Sequence, residues 1–474
     1  MVDTFKKFKS CIFIMADGAR ADIFRELLGK GLLPNISRYI IEKGDLRDAV
    51  TVFPSTTGPA YTPFILGKFP GRCNFPGIRW FDKSEFERTL FSLNRFRSYI
   101  GLESYMMNND ISRDFKTIFE IIPNTVSILN ELSRGISTHG DKTKYSKLYY
   151  KVKSHFTDKT DEVDSVSHRL LIKSLDESPE FIFAVYLGID NYSHLTHPSH
   201  RSVINSYIRI DDNVGELADI LTRKGKLDDT LLVLGSDHGL TQTHSHFDML
   251  KFMEDYGFKT FYYPNVFRSF FSADAANMVS GNSMSNLYFK YNNKWNGFNP
   301  DAYRDFISRL LERPEIDIIL YRCASNKIRI LSSRGSASTW FDHDKHLIHY
   351  ETAGGDPFGY AYIPAVTNTQ EILNLTYDTD YPDALLQINQ LFESPRSGDI
   401  VLSSAHGFDL RAKHENPEHC SSHGSLLKEH MIVPVAVNTK ISRDLIRTVD
   451  VFPSILKLLG KDIPDCLDGI SFVD

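Results

Sequence analysis

The chain has little that would tie it to a disulfide scaffold, a bilayer or a polyanion. Its 474 residues hold only five cysteines, Cys11, Cys73, Cys323, Cys420 and Cys466. They are scattered, odd in number and without a Cys-x-x-Cys pair, which argues against a disulfide framework and a thiolate zinc site and fits a reducing cytoplasm. Long apolar runs are missing too. Runs such as Phe181 to Leu187 fall well short of the roughly 20 residues that span a bilayer, so they read as buried strands. Lys6, Lys7 and Lys9 before the apolar run 11–16 superficially imitate a secretory leader, but that run is short and leads straight into Asp17-Gly18 without a cleavage-type sequence. Nor is there an excess of positive charge. The 54 Lys and Arg against 60 Asp and Glu leave a net charge of −6, without the basic footprint that nucleic-acid polymers or anionic membranes require. Internal repeats, low-complexity tracts and coiled-coil heptads are absent as well.

What is present is an α/β rhythm. The length exceeds one ordinary hydrophobic core, so a large domain with an inserted lobe is expected. Residues 11–16 read as the first core strand, and helical spacing follows over 21–28 and 34–41. Strands are predicted at 46–53, 181–188, 230–235 and 431–437, with helices near 202–223 and 449–459. Strand, polar terminus, helix, strand is the pattern of a mostly parallel sheet flanked by helices. From about 251 to 390 the rhythm gives way to aromatics, Asn and Gly-rich turns, read as an inserted α+β lobe. It resumes at Asp399 to Leu402, so 1–250 and 391–474 are assigned to the core. Residues 85–160 show no clear periodicity.

The chemistry gathers at strand ends. Asp17, Asp190 and Asp237 each stand at or just after a C-terminal end, where open α/β sheets bind ligands. Histidine accompanies two of them, His194 four residues after Asp190 and His238 directly after Asp237. Carboxylates crowded at one sheet edge repel and are costly to desolvate, and divalent cations are the simplest compensation. Imidazole and carboxylate suit Zn²⁺, Mn²⁺ or Fe²⁺. Before a helix-like run from Tyr61 to Leu66, the stretch Thr51 to Ala60 holds hydroxyl side chains on a strand-to-helix turn, a place that favours an anion such as phosphate.

These residues resemble a family. The segments Met15-Ala16-Asp17-Gly18, Phe53-Pro54-Ser55-Thr56-Thr57, Asp190-Asn191-Tyr192-Ser193-His194, Ser236-Asp237-His238-Gly239 and Ser421-Ser422-His423-Gly424 are similar, in order, to those of the alkaline phosphatase superfamily, specifically its type I phosphodiesterase/nucleotide pyrophosphatase branch. The tail Thr448 to Pro453 with Leu458-Leu459-Gly460 is similar too. The resemblance covers about residues 10–82, 180–245 and 395–474. It implies an alkaline-phosphatase-like fold with two divalent metal ions, zinc first and manganese or iron as alternatives. Asp190, His194 and His423 would hold one ion. Asp17, Asp237 and His238 would hold the other, with Thr57 as its further ligand and as the nucleophile, because the family's nucleophile stands four residues after the Phe of its Phe-Pro pair.

A threonine hydroxyl is a poor nucleophile at neutral pH, and metal coordination favours its alkoxide. The expected reaction is attack by Thr57 on phosphorus, a phospho-threonine intermediate, and its hydrolysis by a hydroxide held at the first cation. One position departs from the pattern. Phosphodiesterase relatives usually carry an Asn three residues after the nucleophile to contact a phosphoryl oxygen; here that position is Ala60. The Gly58 amide or Arg79 are the candidate replacements, and Trp80 a candidate to stack on an aromatic or sugar group of the substrate. The remaining histidines near the motifs, His197, His200, His244 and His246, are read as supporting or surface residues, and His406 is left unassigned. The sequence thus predicts a cytoplasmic two-metal hydrolase of small phosphate esters, diesters first. A phosphomonoesterase, a phosphonate hydrolase, a phosphotransferase or mutase using the same site, and a fold-retaining binding protein are the alternatives. A sulfatase is disfavoured because no Cys/Ser-x-Pro-x-Arg pattern occurs at the nucleophile.

Overall fold

Two sheets carry the molecule. The computed structural model describes residues 6–88, 94–266, 271–323, 327–412 and 418–473. The first sheet has six strands in the spatial order Asp45–Val50, Ile432–Val437, Thr230–Gly235, Ser10–Ala16, Phe181–Tyr186, Thr125–Ile128. The four strands from Thr230–Gly235 to Thr125–Ile128 run parallel, and the two at the other side pair antiparallel. The strands 10–16, 181–186 and 230–235 are near-continuous apolar runs because helices cover both faces. Phe13, Phe183, Leu232 and Leu234 are all fully buried. The helix Arg201–Arg223 buries Val203, Tyr207, Ile210, Val214, Leu217 and Leu221 on one face, as its 3.6-residue spacing requires.

The second sheet has nine strands, ordered Thr260–Tyr262, Ala275–Ser280, Met284–Phe289, Ile400–Ser404, Ile316–Arg322, Ile328–Ser332, Gly335–Asp342, Leu347–Ala353, Val366–Asn368. All its pairings are antiparallel except that of the first two strands. One element differs from the sequence reading. Ile400–Ser404, expected to resume the core rhythm, inserts between Met284–Phe289 and Ile316–Arg322 at the centre of this second sheet. A fully buried apolar run of this length fits any sheet covered on both faces, and nothing in it encodes which one. The chain rejoins the first sheet only at Ile432–Val437.

The segment without periodicity also contributes to the first sheet. Thr125–Ile128 is its edge strand, and the hairpin Arg79–Phe81 with Phe96–Ser98 and the helix Lys147–Phe156 lie before and after it in the chain. A buried apolar cluster joins the segment 50–60 to the second sheet: Val50, Val52, Phe53 and Ala60 pack with Met284, Ile318, Leu385 and Ile388.

Candidate active site

Asp17, Asp190 and Asp237 follow three adjacent parallel strands and meet beyond the C-terminal ends of those strands in the middle of the first sheet. The strand ends are cross-tied. The Asp17 amide donates to the Tyr186 carbonyl at 3.0 Å, the Asp190 amide to the Asp17 carbonyl at 3.1 Å, and the Gly18 amide to Asp237 Oδ1 at 3.3 Å. Gly18 is needed for this approach: its φ is +78° and a Cβ would sit 2.9 Å from Asp190 Cα. Asp190 lies in the first turn of the helix Gly188–Leu195, so His194, four residues on, shares its face, with Nε2 at 3.3 Å from Asp190 Oδ1.

All three histidines of the candidate ligand set are oriented alike. The Nδ1–H of His194 donates to the Ser421 carbonyl at 2.8 Å, that of His238 to the Gly239 carbonyl at 3.2 Å, and that of His423 to the Ser55 carbonyl at 3.1 Å. A carbonyl at Nδ1 keeps the proton there and leaves Nε2 as a bare lone pair aimed inward. The rings of His238 and His423 stack with centroids 3.8 Å apart.

Two groups of donors result. Asp190, His194 and His423 bring one ligand atom each within 4.8 Å of one another, and Asp17, Asp237 and His238 do the same. Asp190 Oδ1 and Asp237 Oδ2 are buried without a hydrogen-bond partner, although each lies 3.3 Å from a histidine Nε2. Acceptor facing acceptor in a buried site is unfavourable unless a proton or a cation lies between them. The donor chemistry and these orphaned oxygens therefore fit two divalent cations.

Electrostatics say the same. Burial, then Asp237 and Asp190, push the Asp17 carboxyl well above the usual range, against the Tyr61 hydroxyl that donates to its Oδ2 at 2.8 Å. Burial also raises Asp237, with His238 opposing and Asp190 adding to the shift. Asp190 is buried as well, yet His194 and then His423 hold it below the usual carboxylate range. Burial, then His238, drives His423 well below the ordinary histidine value. Without cations Asp17 and Asp237 resist ionising and His423 resists protonation, whereas against burial Asp190 holds His194 above the ordinary histidine value.

Thr57 stands over the second group. Its Oγ1 is 3.1 Å from His238 Nε2 and 3.3 Å from Asp17 Oδ1. Thr56 points elsewhere: it is fully buried and its hydroxyl has no partner. Strong constraints fix the turn. The Ser55 hydroxyl donates to the Ser425 carbonyl at 2.8 Å, the Phe53 amide donates to Gln387 Oε1 at 3.1 Å, and Gln390 Nε2 donates to the Phe53 carbonyl at 2.6 Å. Gly58 has φ +95°, which a side chain would strain, and a Cβ there would press on Met107 and Phe75 at 3.2 Å.

The two substrate-contact candidates fare differently from the ligand set. Trp80 packs inward: it is fully buried, donates Nε1–H to the Tyr99 hydroxyl at 2.9 Å, and is covered by the Arg396 guanidinium 4.0 Å from its ring. An aromatic in a Gly/Pro-rich loop can stack on a ligand or pack inward, and here packing wins. Arg79 begins the same hairpin strand, with Nε 3.4 Å from Ser98 Oγ. Of the remaining histidines, His197 and His200 pair with each other, and His246 bonds Asp409 and Glu418. The exposed His406 lies 3.5 Å from Glu429.

Four neighbours of the site had no sequence signal strong enough to single them out. Tyr61 bonds Asp17, one turn beyond Thr57. His419 stacks on His194 with centroids 4.2 Å apart, and His155 reaches His419 at 5.5 Å. Lys151 acts electrostatically on Asp17.

Residues 11–426 match the family model described as type I phosphodiesterase/nucleotide pyrophosphatase. A comparison with curated protein sequences finds no match. Among solved structures, the phosphonoacetate hydrolase of Sinorhizobium meliloti 1021 in complex with phosphonoformate superposes with a TM-score of 0.58 at 14% identity, covering 96% of this chain and 97% of that one. Murine ectonucleotide pyrophosphatase/phosphodiesterase 5, an inactive variant in complex with AMP, superposes with a TM-score of 0.56 at 13% identity, covering 97% and 96%. At such identities the likeness establishes the shared fold.

Proposed function

The chain belongs to the type I phosphodiesterase/nucleotide pyrophosphatase family of hydrolytic enzymes, and from there we propose that it hydrolyses small phosphoric esters, diesters first, through a phospho-threonine formed on Thr57. The observation that carries this reading is the Thr57 hydroxyl, held 3.3 Å from Asp17 Oδ1 and 3.1 Å from His238 Nε2 beside the two groups of residues that could hold metal ions.

Asp190, His194 and His423 would hold one cation, and Asp17, Asp237 and His238 the other, with zinc suiting this donor set first and manganese or iron next. Bound, such ions lower the pKa of a coordinated hydroxyl and stabilise charge on attacking and leaving oxygens. The protein's own groups do the positioning. Asp17 Oδ1 accepts the Thr57 O–H, the Gln387 and Gln390 side chains fix the strand end, and the positive φ of Gly58 starts the turn. Thr57 Oγ forms a bond to phosphorus as the ester oxygen leaves as the alcohol; water then displaces Thr57 and releases the phosphorylated product.

A phosphonate hydrolase or phosphomonoesterase is the second reading, favoured by Ala60, which is fully buried and offers no side-chain donor. The five cysteines stand unpaired, Cys420 and Cys466 exposed, which fits a reducing cytoplasm. Among the described residues, no helix is long and apolar enough to cross a membrane.

The test is hydrolysis of bis-p-nitrophenyl phosphate against p-nitrophenyl phosphate by the zinc- or manganese-loaded enzyme and by Thr57→Ala. Diester turnover that the substitution abolishes supports the reading, whereas monoester preference moves the assignment to the second one. Activity that survives in Thr57→Ala overturns the covalent mechanism.

A further inference from the structure

Tyr61 ties the nucleophile turn to the end of the first core strand. Its backbone belongs to the turn. The Ala60 amide donates to the Thr56 carbonyl at 3.0 Å and the Tyr61 amide to the Gly58 carbonyl at 3.0 Å, so Thr57 and Tyr61 sit in one short hydrogen-bonded unit. The side chain leaves that unit and reaches Asp17, 44 residues back in the chain, donating its O–H to Oδ2 at 2.8 Å. The tyrosine is 1% exposed, and its ring meets Phe183 edge-on with centroids 6.0 Å apart, while Phe183 stacks on Phe13. Both ends of the contact are therefore set in the core.

This contact divides the Asp17 carboxylate. Oδ2 is taken by Tyr61, whereas Oδ1 lies 3.3 Å from Thr57 Oγ1 and 3.7 Å from His238 Nε2. Asp237 is divided in the same way. Its Oδ1 accepts the Gly18 amide at 3.3 Å, and its Oδ2, without a hydrogen-bond partner, lies 3.3 Å from His238 Nε2. Each carboxylate of the second group thus has one oxygen tied back and one presented beside His238. The tie at Asp237 is a backbone amide, but the tie at Asp17 is a side chain.

A buried tyrosine needs an acceptor for its hydroxyl, and a backbone carbonyl is enough. Tyr288, also fully buried, donates to the Arg396 carbonyl at 2.7 Å. Spending the Tyr61 hydroxyl on a carboxylate has a further effect. An untied carboxylate can turn either oxygen, or both, toward a cation. With Oδ2 engaged in a charge-assisted hydrogen bond, Oδ1 is the oxygen left, and it is the one beside Thr57. We propose that Tyr61 is a positioning residue that restricts Asp17 to one oxygen at the second group and keeps that oxygen against the Thr57 hydroxyl. This rests on the ester-hydrolase reading and adds to it what holds the nucleophile and its carboxylate in register.

The experiment compares the cobalt(II)-loaded full chain with Tyr61→Phe and Tyr288→Phe. Tyr61→Phe keeps the ring on Phe183 and removes only the hydroxyl, and Tyr288→Phe removes a hydroxyl as deeply buried but bonded to a backbone carbonyl. The visible absorption of cobalt(II) weakens as its ligand number rises, so it reports how many oxygens Asp17 offers. Absorption per bound cobalt should fall in Tyr61→Phe and stay at the wild-type value in Tyr288→Phe. In hydrolysis of bis-p-nitrophenyl phosphate, Tyr61→Phe should lower kcat by about tenfold or more, the scale of one charge-assisted hydrogen bond, with KM unchanged. The spectra need no turnover, so an inactive wild type would count against the ester-hydrolase reading and leave the spectral test of Tyr61 intact. Wild-type absorption in Tyr61→Phe, an equal fall in both variants, or a kinetic change confined to KM overturns the proposal.

Discussion

The backbone amide of Asp190 donates to the backbone carbonyl of Asp17 at 3.1 Å, so the two candidate metal groups are joined through the main chain as well as through their side chains.

Crowding of Asp17 with Asp237 and Asp190 predicts a pH effect in the metal-free protein. Burial and then these neighbours raise Asp17. A carboxyl raised on folding contributes stability that is complete below its unfolded value, roughly 4, and is lost as pH rises through its folded value. Metal-free Asp17→Asn should therefore be more stable than the metal-free wild type at pH 8, by a margin that shrinks toward pH 5. Thermal midpoints at the two pH values check this, and a difference independent of pH would contradict it.

Gln387 and Gln390 reach from the helix Ala384–Leu391 to both backbone groups of Phe53 and are themselves fully buried. Replacing either with Leu orphans a buried backbone group, a loss of about 1–3 kcal/mol. The turn carrying Thr57 should loosen with it. We expect kcat to fall by about tenfold or more with KM little changed, since about 1.4 kcal/mol of lost transition-state stabilisation is a factor of ten. A change confined to KM would place these residues at substrate binding.

Arg447 forks onto Asp383 through Nε at 2.7 Å and Nη2 at 2.6 Å, with both side chains buried. Arg447→Met should cost about 3–5 kcal/mol because the buried Asp383 charge keeps, among the described residues, only the Gln387 side-chain amide at 2.9 Å, and Arg447→Met/Asp383→Asn, which removes the charge and tolerates the φ of +58° there, should recover much of that. Denaturant unfolding of the two variants tests it. Equal losses in both would mean the pair acts through packing alone.

Trp80, held between Tyr99 and Arg396, should behave as framework. Trp80→Phe keeps an aromatic face but drops the hydrogen bond to Tyr99. It should lower the thermal midpoint while leaving KM for the ester unchanged. A selective rise in KM would restore the stacking role that the sequence suggested.

The sequence was most legible where chemistry follows directly from chain order. An apolar run followed closely by Asp places that Asp beyond the C-terminal end of a strand, so Asp17, Asp190 and Asp237 could be grouped from the sequence, and the family pattern added His194, His238, His423 and Thr57. Other parts depend on packing between distant segments. In 147–156 the lysines look alike, yet Lys147 is buried on Asp141 and Lys153 lies on Glu162. His419 carries no local mark that separates it from His197 or His200. Ile400–Ser404 is apolar enough for either sheet, and its place was decided by Met284–Phe289 and Ile316–Arg322 as neighbours.

The central claim is a covalent intermediate on Thr57, and acid quenching during steady turnover of bis-p-nitrophenyl phosphate, followed by peptide mass spectrometry, tests it most directly. The account predicts one phosphoryl-containing adduct on the peptide spanning 51–66, localised to Thr57 and absent in Thr57→Ala. An adduct on Thr56, or sustained turnover with no modified residue, would contradict it.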